Sequence, residues 1–398
     1  MAVRAGGLES ELIDRVVGRS REHLSEHESG VFEPFVRQYY RWVSPEDLAE
    51  RDAADLFTAS LAHFRLARER APQEVKVRVY DPDSQRDGFE SPHTLIDIVS
   101  PDVPFIVDSV TMELARQGHS LDLELHPVIW IRRDADGRLL DVLDGTGEAS
   151  AAEPESVLHA ELIREHDGEG LTRLQEGIRR VLGDVMAAVE DWQAMRRRAL
   201  ELVQELERCP GPVEEAERRE VEDFLRWMSA DRFTFLGYRE YDLVARDGRA
   251  GLRARPRSGL GILRAEPSSA FKALRPKATS LAEDPTPLIL TKANSRSTVH
   301  RPSQLDYIGV KRFDEDGRVV GEARFLGLYT TSAYRESPRE IPLLRGKCAR
   351  VLERAGFPPA SHDRKALVEI LESYPRDALF QMSADDLFSV ATGLLRVG

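Results

Sequence analysis

Between Leu171 and Leu206 the residues Leu171, Leu174, Ile178, Val181, Val185, Ala188, Trp192, Met195, Ala199, Leu202 and Leu206 recur at alternating intervals of three and four without a miss. Only one face of a long α-helix has that period, and the run predicts a rod about 54 Å in length. The rod divides the chain into an N-terminal and a C-terminal part. Two uses fit it. It can form a seam with a second copy, with Val185, Trp192 and Leu202 at the contact, or it can lie along its own domain. Gly183 inside it weakens a free-standing coil.

The 398 residues allow two or three domains of roughly 100–200 residues each. Lys and Arg number 56 against 69 Asp and Glu, a net of −13, so the chain is a poor partner for nucleic acid or an anionic membrane. Two cysteines, Cys209 and Cys348, exclude a disulfide framework and suit a reducing cytoplasm. No apolar run approaches the ~20 residues that span a bilayer, and Met1 to Glu11 lacks the apolar core of a secretory signal. The expectation is a cytoplasmic, multidomain protein.

Residues 1–72 read as a helical segment, punctuated by Pro34 and Pro45, with a helix start at Ser44-Pro-Glu-Asp47. From Glu74 the period changes to two. Val75, Val77 and Val79 alternate with polar residues, and Thr94 to Val99 is a second strand. A helix from about Pro104 to Gln117 closes at Gly118. Leu121 to Arg132 is a long strand, turned back at Asp134-Ala-Asp-Gly-Arg138, and Ser156 to Ile163 supplies another strand. This order predicts an α+β module over 73–170 in which helices cover one face of an antiparallel sheet. The long helix and a helical connector occupy 171–230, with Cys209-Pro-Gly-Pro212 as linker. A second sheet-rich module spans 231–335, with turns at Arg246-Asp-Gly-Arg249 and Asp314-Glu-Asp-Gly-Arg318. Residues 336–398 form a helical end, capped at Ser337, Ser361 and Ser383 and interrupted by Gly356.

Short motifs of catalysis fail when weighed. His23-Leu-Ser-Glu26-His27 fits a zinc-protease pattern but lies in a polar stretch with no third ligand, so a solvated helix face explains it. Gly145-Thr-Gly147-Glu-Ala-Ser150 lacks the third glycine of a dinucleotide loop, and Pro154 interrupts the helix that should come after it. The two Asp-x-Asp-Gly turns lack the acids of a calcium loop. No catalytic, cofactor-binding or metal-ligating residue is assigned.

Two stretches carry more. In Ser100-Pro-Asp-Val-Pro-Phe-Ile-Val-Asp-Ser-Val110 a strand runs into a helix, whose free N–H groups bind carboxylates while Asp102 holds an ammonium group. The plainer reading makes Asp102 the helix cap and Phe105 core. In Leu290 to Arg301 the cations Lys292, Arg296, His300 and Arg301 stand among hydroxyl and amide side chains, as an anion cradle or as a cationic loop facing an acidic neighbouring domain.

These stretches, together with Asp306-Tyr-Ile-Gly-Val-Lys-Arg-Phe313, Ser337-Pro-Arg-Glu-Ile-Pro-Leu-Leu344, Phe233-Thr-Phe-Leu-Gly-Tyr238 and Phe325-Leu-Gly-Leu-Tyr329, resemble the N-terminal region of the large bacterial NAD-specific glutamate dehydrogenases. The likeness runs in order from about Ser10 to the last residue. It implies an ACT-like first module, an ACT-like or PAS-like second module, and catalytic and NAD-binding domains beyond residue 398. It also implies no cofactor in this region, and as partners the catalytic domains of the same chain and further copies in a homo-oligomer. Since ACT modules commonly bind amino acids at the first strand-to-helix loop, the resemblance points to Asp102, Phe105, Val107, Asp108 and Ser109 as an effector site. The competing expectation is a purely structural assembly module without a ligand.

Overall fold

A computed structural model describes residues 2–44, 48, 51–143, 152–208, 212–246, 249–265 and 271–396. The expected helix start at 45–47, the 145–150 loop, the 209–211 linker and the 247–248 turn lie outside the described residues. The chain divides into two compact units, one of residues 1–186 with Thr298–Arg301, the other of residues 187–297 with 302–398.

The first unit opens with helices α1 (Ala2–His23), α2 (Glu26–Tyr39) and α3 (Ala53–Ala67). Ser25 and Glu28 form a reciprocal cap at the start of α2. Pro34 lies inside α2 and does not end it, a departure from the expected break. Strands β1 (Lys76–Tyr80) and β2 (His93–Pro101) come next, then α4 (Ile106–Arg116), β3 (Leu121–Leu125), β4 (Val128–Arg133), β5 (Leu139–Leu143) and β6 (Glu153–Ile163). The sheet is antiparallel in the order β1-β2-β6-β4-β5, with β3 also on β6. The single strand expected over 121–132 is broken at His126-Pro127. The missing N–H of Pro127 stops one ladder, so β3 and β4 pair with different parts of β6.

The expectation of helices on one face of this sheet is corrected. Val99, Leu125, Ile129, Ile131 and Val157 share a core with Val16, Phe32, Phe35, Leu56 and Phe64 of α1–α3. On the opposite face Thr111 of α4 bonds Glu124 of β3, and the long helix bonds the β1 backbone through Gln175 and Arg179. The physical reason is visible in β2 and β6, whose residues are buried almost without alternation. A strand covered on both faces reads as a continuous apolar run.

Helix α5 (Gly168–Arg208) is the predicted rod, and its first part belongs to the first unit and the rest to the second. The second unit adds α6 (Glu215–Trp227) and a sheet of β7 (Phe233–Arg246), β8 (Arg249–Ala254), β9 (Leu260–Gly261), β10 (Phe271–Ala273), β11 (Leu288–Arg296), β12 (Gln304–Phe313) and β13 (Val319–Tyr329), with α7 (Pro276–Glu283) between β10 and β11 and α8 (Thr331–Arg335) after β13. The order is β10-β8-β7-β13-β12-β11, all antiparallel, with β9 on β7. Helices α9 (Leu344–Ala355), α10 (His362–Ser373), α11 (Arg376–Gln381) and α12 (Ala384–Leu395) share one core with the end of α5, α6, Phe235, Tyr238, Ile308 and Phe325. Ser361 and Ser383 are the predicted caps, and Gly356 ends α9 at φ 65°. Ser337 caps no described helix, since α9 starts only at Leu344, after Leu343 at φ 70°.

Candidate functional site

A cavity of about 490 Å³ opens in the first unit between α2, α3 and the sheet. Tyr39, Tyr40 and Leu56 form its helical wall, Leu95, Leu123 and Leu125 its floor, and Arg51, His93, His159 and Glu161 its polar side. The floor is apolar because alternate residues of β2, β3 and β6 point toward the N-terminal helices, and the same alternation aims the polar exceptions Asp97, His159 and Glu161 at that layer.

Those exceptions are linked. Tyr80 Oη donates to Asp97 Oδ2 at 3.0 Å, and His159 Nδ1 lies 2.6 Å from Asp97 Oδ1. His159 Nε2 is 3.5 Å from Glu161 Oε1, and Glu161 accepts two bonds from Arg51 at 2.6 and 2.8 Å. His63 on α3 completes the cluster, with Nε2 3.1 Å from the Ile98 carbonyl and Nδ1 3.1 Å from Tyr39 Oη. Asp97, His63 and His159 are buried. Burial drives the His159 pKa down, but the carboxylates of Asp97 and Glu161 outweigh it and hold it at about 9. Burial likewise raises Glu161, and His159 and Arg51 reverse that to about 2. At neutral pH the side chains alone therefore form alternating charges, Asp97⁻, His159⁺, Glu161⁻, Arg51⁺, as low-dielectric burial requires.

No sequence motif marks any of these positions. The signal in the sequence is an acid in the middle of Leu95-Ile-Asp-Ile-Val99 and a histidine in Val157-Leu-His-Ala160, both inside otherwise apolar runs.

The two stretches with candidate binding residues meet in part. The N-cap of α4 is Phe105, at φ 77°, rather than Asp102, whose backbone N–H donates to the Pro154 carbonyl. Val107 and Asp108 lie in the first turn of α4, and Ser109 is buried. Against this turn sits His300. Its N–H donates to Ser109 Oγ at 3.0 Å, its Nδ1 is 3.1 Å from Asp108 Oδ2, and its ring is 4.9 Å from that of Phe105. His300 is itself left-handed at φ 72°, and Thr298 Oγ1 donates to Asp184 at 2.7 Å. The side chains of Lys292 and Arg296 in that stretch find partners elsewhere. Lys292 Nζ lies 2.6 Å from Asp306 and 2.8 Å from Asp377, Arg296 Nη1 donates to the Pro302 carbonyl at 3.5 Å, and the Arg301 N–H donates to the Val299 carbonyl. On α5, Val185 and Leu202 are buried within the chain, while Trp192 keeps 39 % of its surface exposed.

Comparison with known proteins adds to this geometry. Residues 35–178 match the family described as glutamate dehydrogenase, ACT1 domain, and residues 341–398 match glutamate dehydrogenase, helical motif 1. The chain is 36 % identical over 395 residues, 97 % of its length, to the NAD-specific glutamate dehydrogenase of Halomonas elongata, and covers 24 % of that protein. It is 36 % identical over 380 residues to the protein of the same name from Pseudomonas aeruginosa, spanning 94 % of this chain and 23 % of the relative. For Mycobacterium tuberculosis the figures are 30 % over 348 residues, 87 % and 20 %. The chain thus spans about a quarter or less of the length of these curated relatives. With two family matches and a likeness that extends over nearly all its residues, the chain belongs to the NAD-specific glutamate dehydrogenase family, as the counterpart of that family's N-terminal part.

Proposed function

We propose that this chain is the regulatory and assembly region of a large NAD-specific glutamate dehydrogenase, a cytoplasmic enzyme that converts L-glutamate, NAD and water to 2-oxoglutarate, ammonium and NADH. The region has no dehydrogenase activity alone, and NAD binds in the remainder of the enzyme. It acts on the catalytic domains of the same chain and contributes to a homo-oligomer, with Trp192 as the part of the α5 stripe left available for a partner. The second sheet is an ACT-like or PAS-like module. The observation that carries the regulatory reading is the ACT1 match across a sheet that holds a strand-to-helix turn of the kind expected to receive an amino acid.

In this reading Asp102, Phe105, Val107, Asp108 and Ser109 form the effector turn, and Lys292, Arg296, His300 and Arg301 belong to the contacts around it and within the second sheet. His300 occupies the place of a ligand at Asp108 and Ser109, so an effector competes with it. Calorimetric titration of the chain with each of the twenty amino acids tests this. A saturable heat that Ser109→Ala abolishes supports the effector role. No heat at millimolar ligand overturns it and leaves the structural assembly module, which the His300 contact also favours.

A further inference from the structure

We infer that His63, Asp97 and His159 bind one divalent transition-metal ion of the zinc class, pinning α3 to the two central strands of the first sheet. The three side chains come from α3, β2 and β6, are all buried, and offer ligand atoms within 4.8 Å of one another. Both imidazoles aim the same nitrogen at one oxygen. His159 Nδ1 is 2.6 Å and His63 Nδ1 3.6 Å from Asp97 Oδ1. Around a tetrahedral ion with bonds of about 2.0–2.2 Å, ligand atoms stand roughly 3.3 Å apart, a spacing that these two distances bracket.

The surroundings match what a metal site needs beyond its ligands. A ligating histidine usually gives its outward N–H to an acceptor, which fixes the tautomer and turns the other lone pair inward. Here His63 Nε2 faces the Ile98 carbonyl at 3.1 Å and His159 Nε2 faces Glu161 Oε1 at 3.5 Å. Tyr80 holds Asp97 Oδ2, the ion takes Oδ1 by displacing the proton that His159 Nδ1 shares with it, and Arg51 anchors Glu161 through both oxygens. With its proton on Nε2, His63 sets a lone pair toward the lone pairs of Asp97 Oδ1. A cation between them satisfies both, and Tyr39 Oη, 3.1 Å from His63 Nδ1, serves that nitrogen otherwise. Two nitrogens and one carboxylate select zinc, cobalt or a related ion over calcium and magnesium, which prefer oxygen. Entry is provided, since Tyr39 and His159 line the cavity, and a water from it completes the fourth position.

The test uses the purified chain. After equilibration with Zn²⁺ and removal of the excess, elemental analysis should find one zinc per chain. Co²⁺ in its place should give the intense visible bands of a four-coordinate site, and Zn²⁺ should raise the melting temperature of the wild type without any substitution. His63→Gln or His159→Gln, with folding verified by circular dichroism, should weaken zinc binding at least about a hundredfold. Glu161→Gln should weaken it about ten- to hundredfold and keep the cobalt spectrum. The exposed pair His23 and His27 is the competing binder, and His23→Ala/His27→Ala should retain the metal. Absence of zinc and of a thermal shift in the wild type overturns the proposal. So does zinc that survives in the folded His63→Gln/His159→Gln double variant or disappears with His23 and His27.

Discussion

Glu155 offers a stringent test of how the first unit is held together. It sits on β6 with 1 % of its side chain exposed, between Arg70 at 4 % and Arg133 at 11 %. Arg70 Nη2 donates to Oε1 at 2.9 Å, and Arg133 donates to both oxygens at 2.7 Å. The two guanidiniums also bond the Ala67, Ala71, Glu74 and Gly137 carbonyls, so this carboxylate ties the end of α3 and the β4–β5 turn to the sheet. Glu155→Gln preserves the shape and removes the charge. Breaking a buried pair by deleting one partner is worth ~3–5 kcal/mol, because the surviving charges are stranded in low dielectric. The carbonyl bonds keep both arginines partly solvated, which argues for the lower end, about 3 kcal/mol. For a unit of this size each kcal/mol shifts the melting temperature by about 2–4 °C, so a fall of roughly 6–12 °C is expected by circular dichroism at neutral pH. Replacing all three residues by apolar ones of similar volume, Arg70→Met/Arg133→Met/Glu155→Leu, should recover most of the loss. The pH dependence has a definite sign. Burial raises the Glu155 pKa, but Arg133 and Arg70 more than offset this and hold it below 4.5. Its stabilisation is therefore present above the ordinary carboxylate value and fades as pH falls through the folded one, so the gap to Glu155→Gln should close on acidification. A drop of less than about 2 °C at neutral pH would refute the reasoning, placing the triad with exposed ion pairs worth ~0–1 kcal/mol.

Asp306 should behave in the opposite sense. Burial pushes its pKa up to about 6 despite the pull of Lys292, so the proton is held more tightly in the folded chain. Its contribution is fully present below about pH 4 and lost as pH rises through 6. Measured against Asp306→Asn, wild-type stability should decline by up to ~3 kcal/mol between pH 4 and 6, and a pH-independent difference would contradict this. Two glycines predict opposite signs. At Gly137, with φ 82°, a Cβ would meet the Arg70 carbonyl oxygen at 2.4 Å, so Gly137→Ala should destabilise by ~2 kcal/mol or more in denaturant titration. Gly183 lies within α5 with no atom of the described residues within 4 Å of its absent Cβ, and Gly183→Ala should stabilise by ~0.5–1 kcal/mol. Trp192→Glu should lower the mass seen by light scattering if α5 serves assembly, and an unchanged mass removes that role. Val185→Glu instead probes the fold, since Val185 is fully buried.

What is legible in the sequence is local. The α5 stripe, the Gly118 and Gly356 helix ends and the two Asp-x-Asp-Gly turns come from periodicity and backbone chemistry, and in both of these turns the leading aspartate accepts from two backbone N–H groups as such turns require. The sheet faces and the cavity depend on residues far apart in the chain, such as His63, Asp97 and His159, and no short window contains them. Yet the polar exceptions carry long-range information of their own. A carboxylate in the middle of Leu95 to Val99 cannot be buried alone, because isolated charge in an apolar layer is prohibitive. It demands a partner from an equally buried element, and Ser156 to Ile163 holds a histidine within its own apolar run. In the antiparallel register of β2 and β6, Asp97 stands directly opposite His159. A shift by one residue would turn one of them to the other face and strand both. The pair therefore fixes the register of the two central strands, and whether a proton or a metal ion joins them, that same pairing positions the inner wall of the cavity.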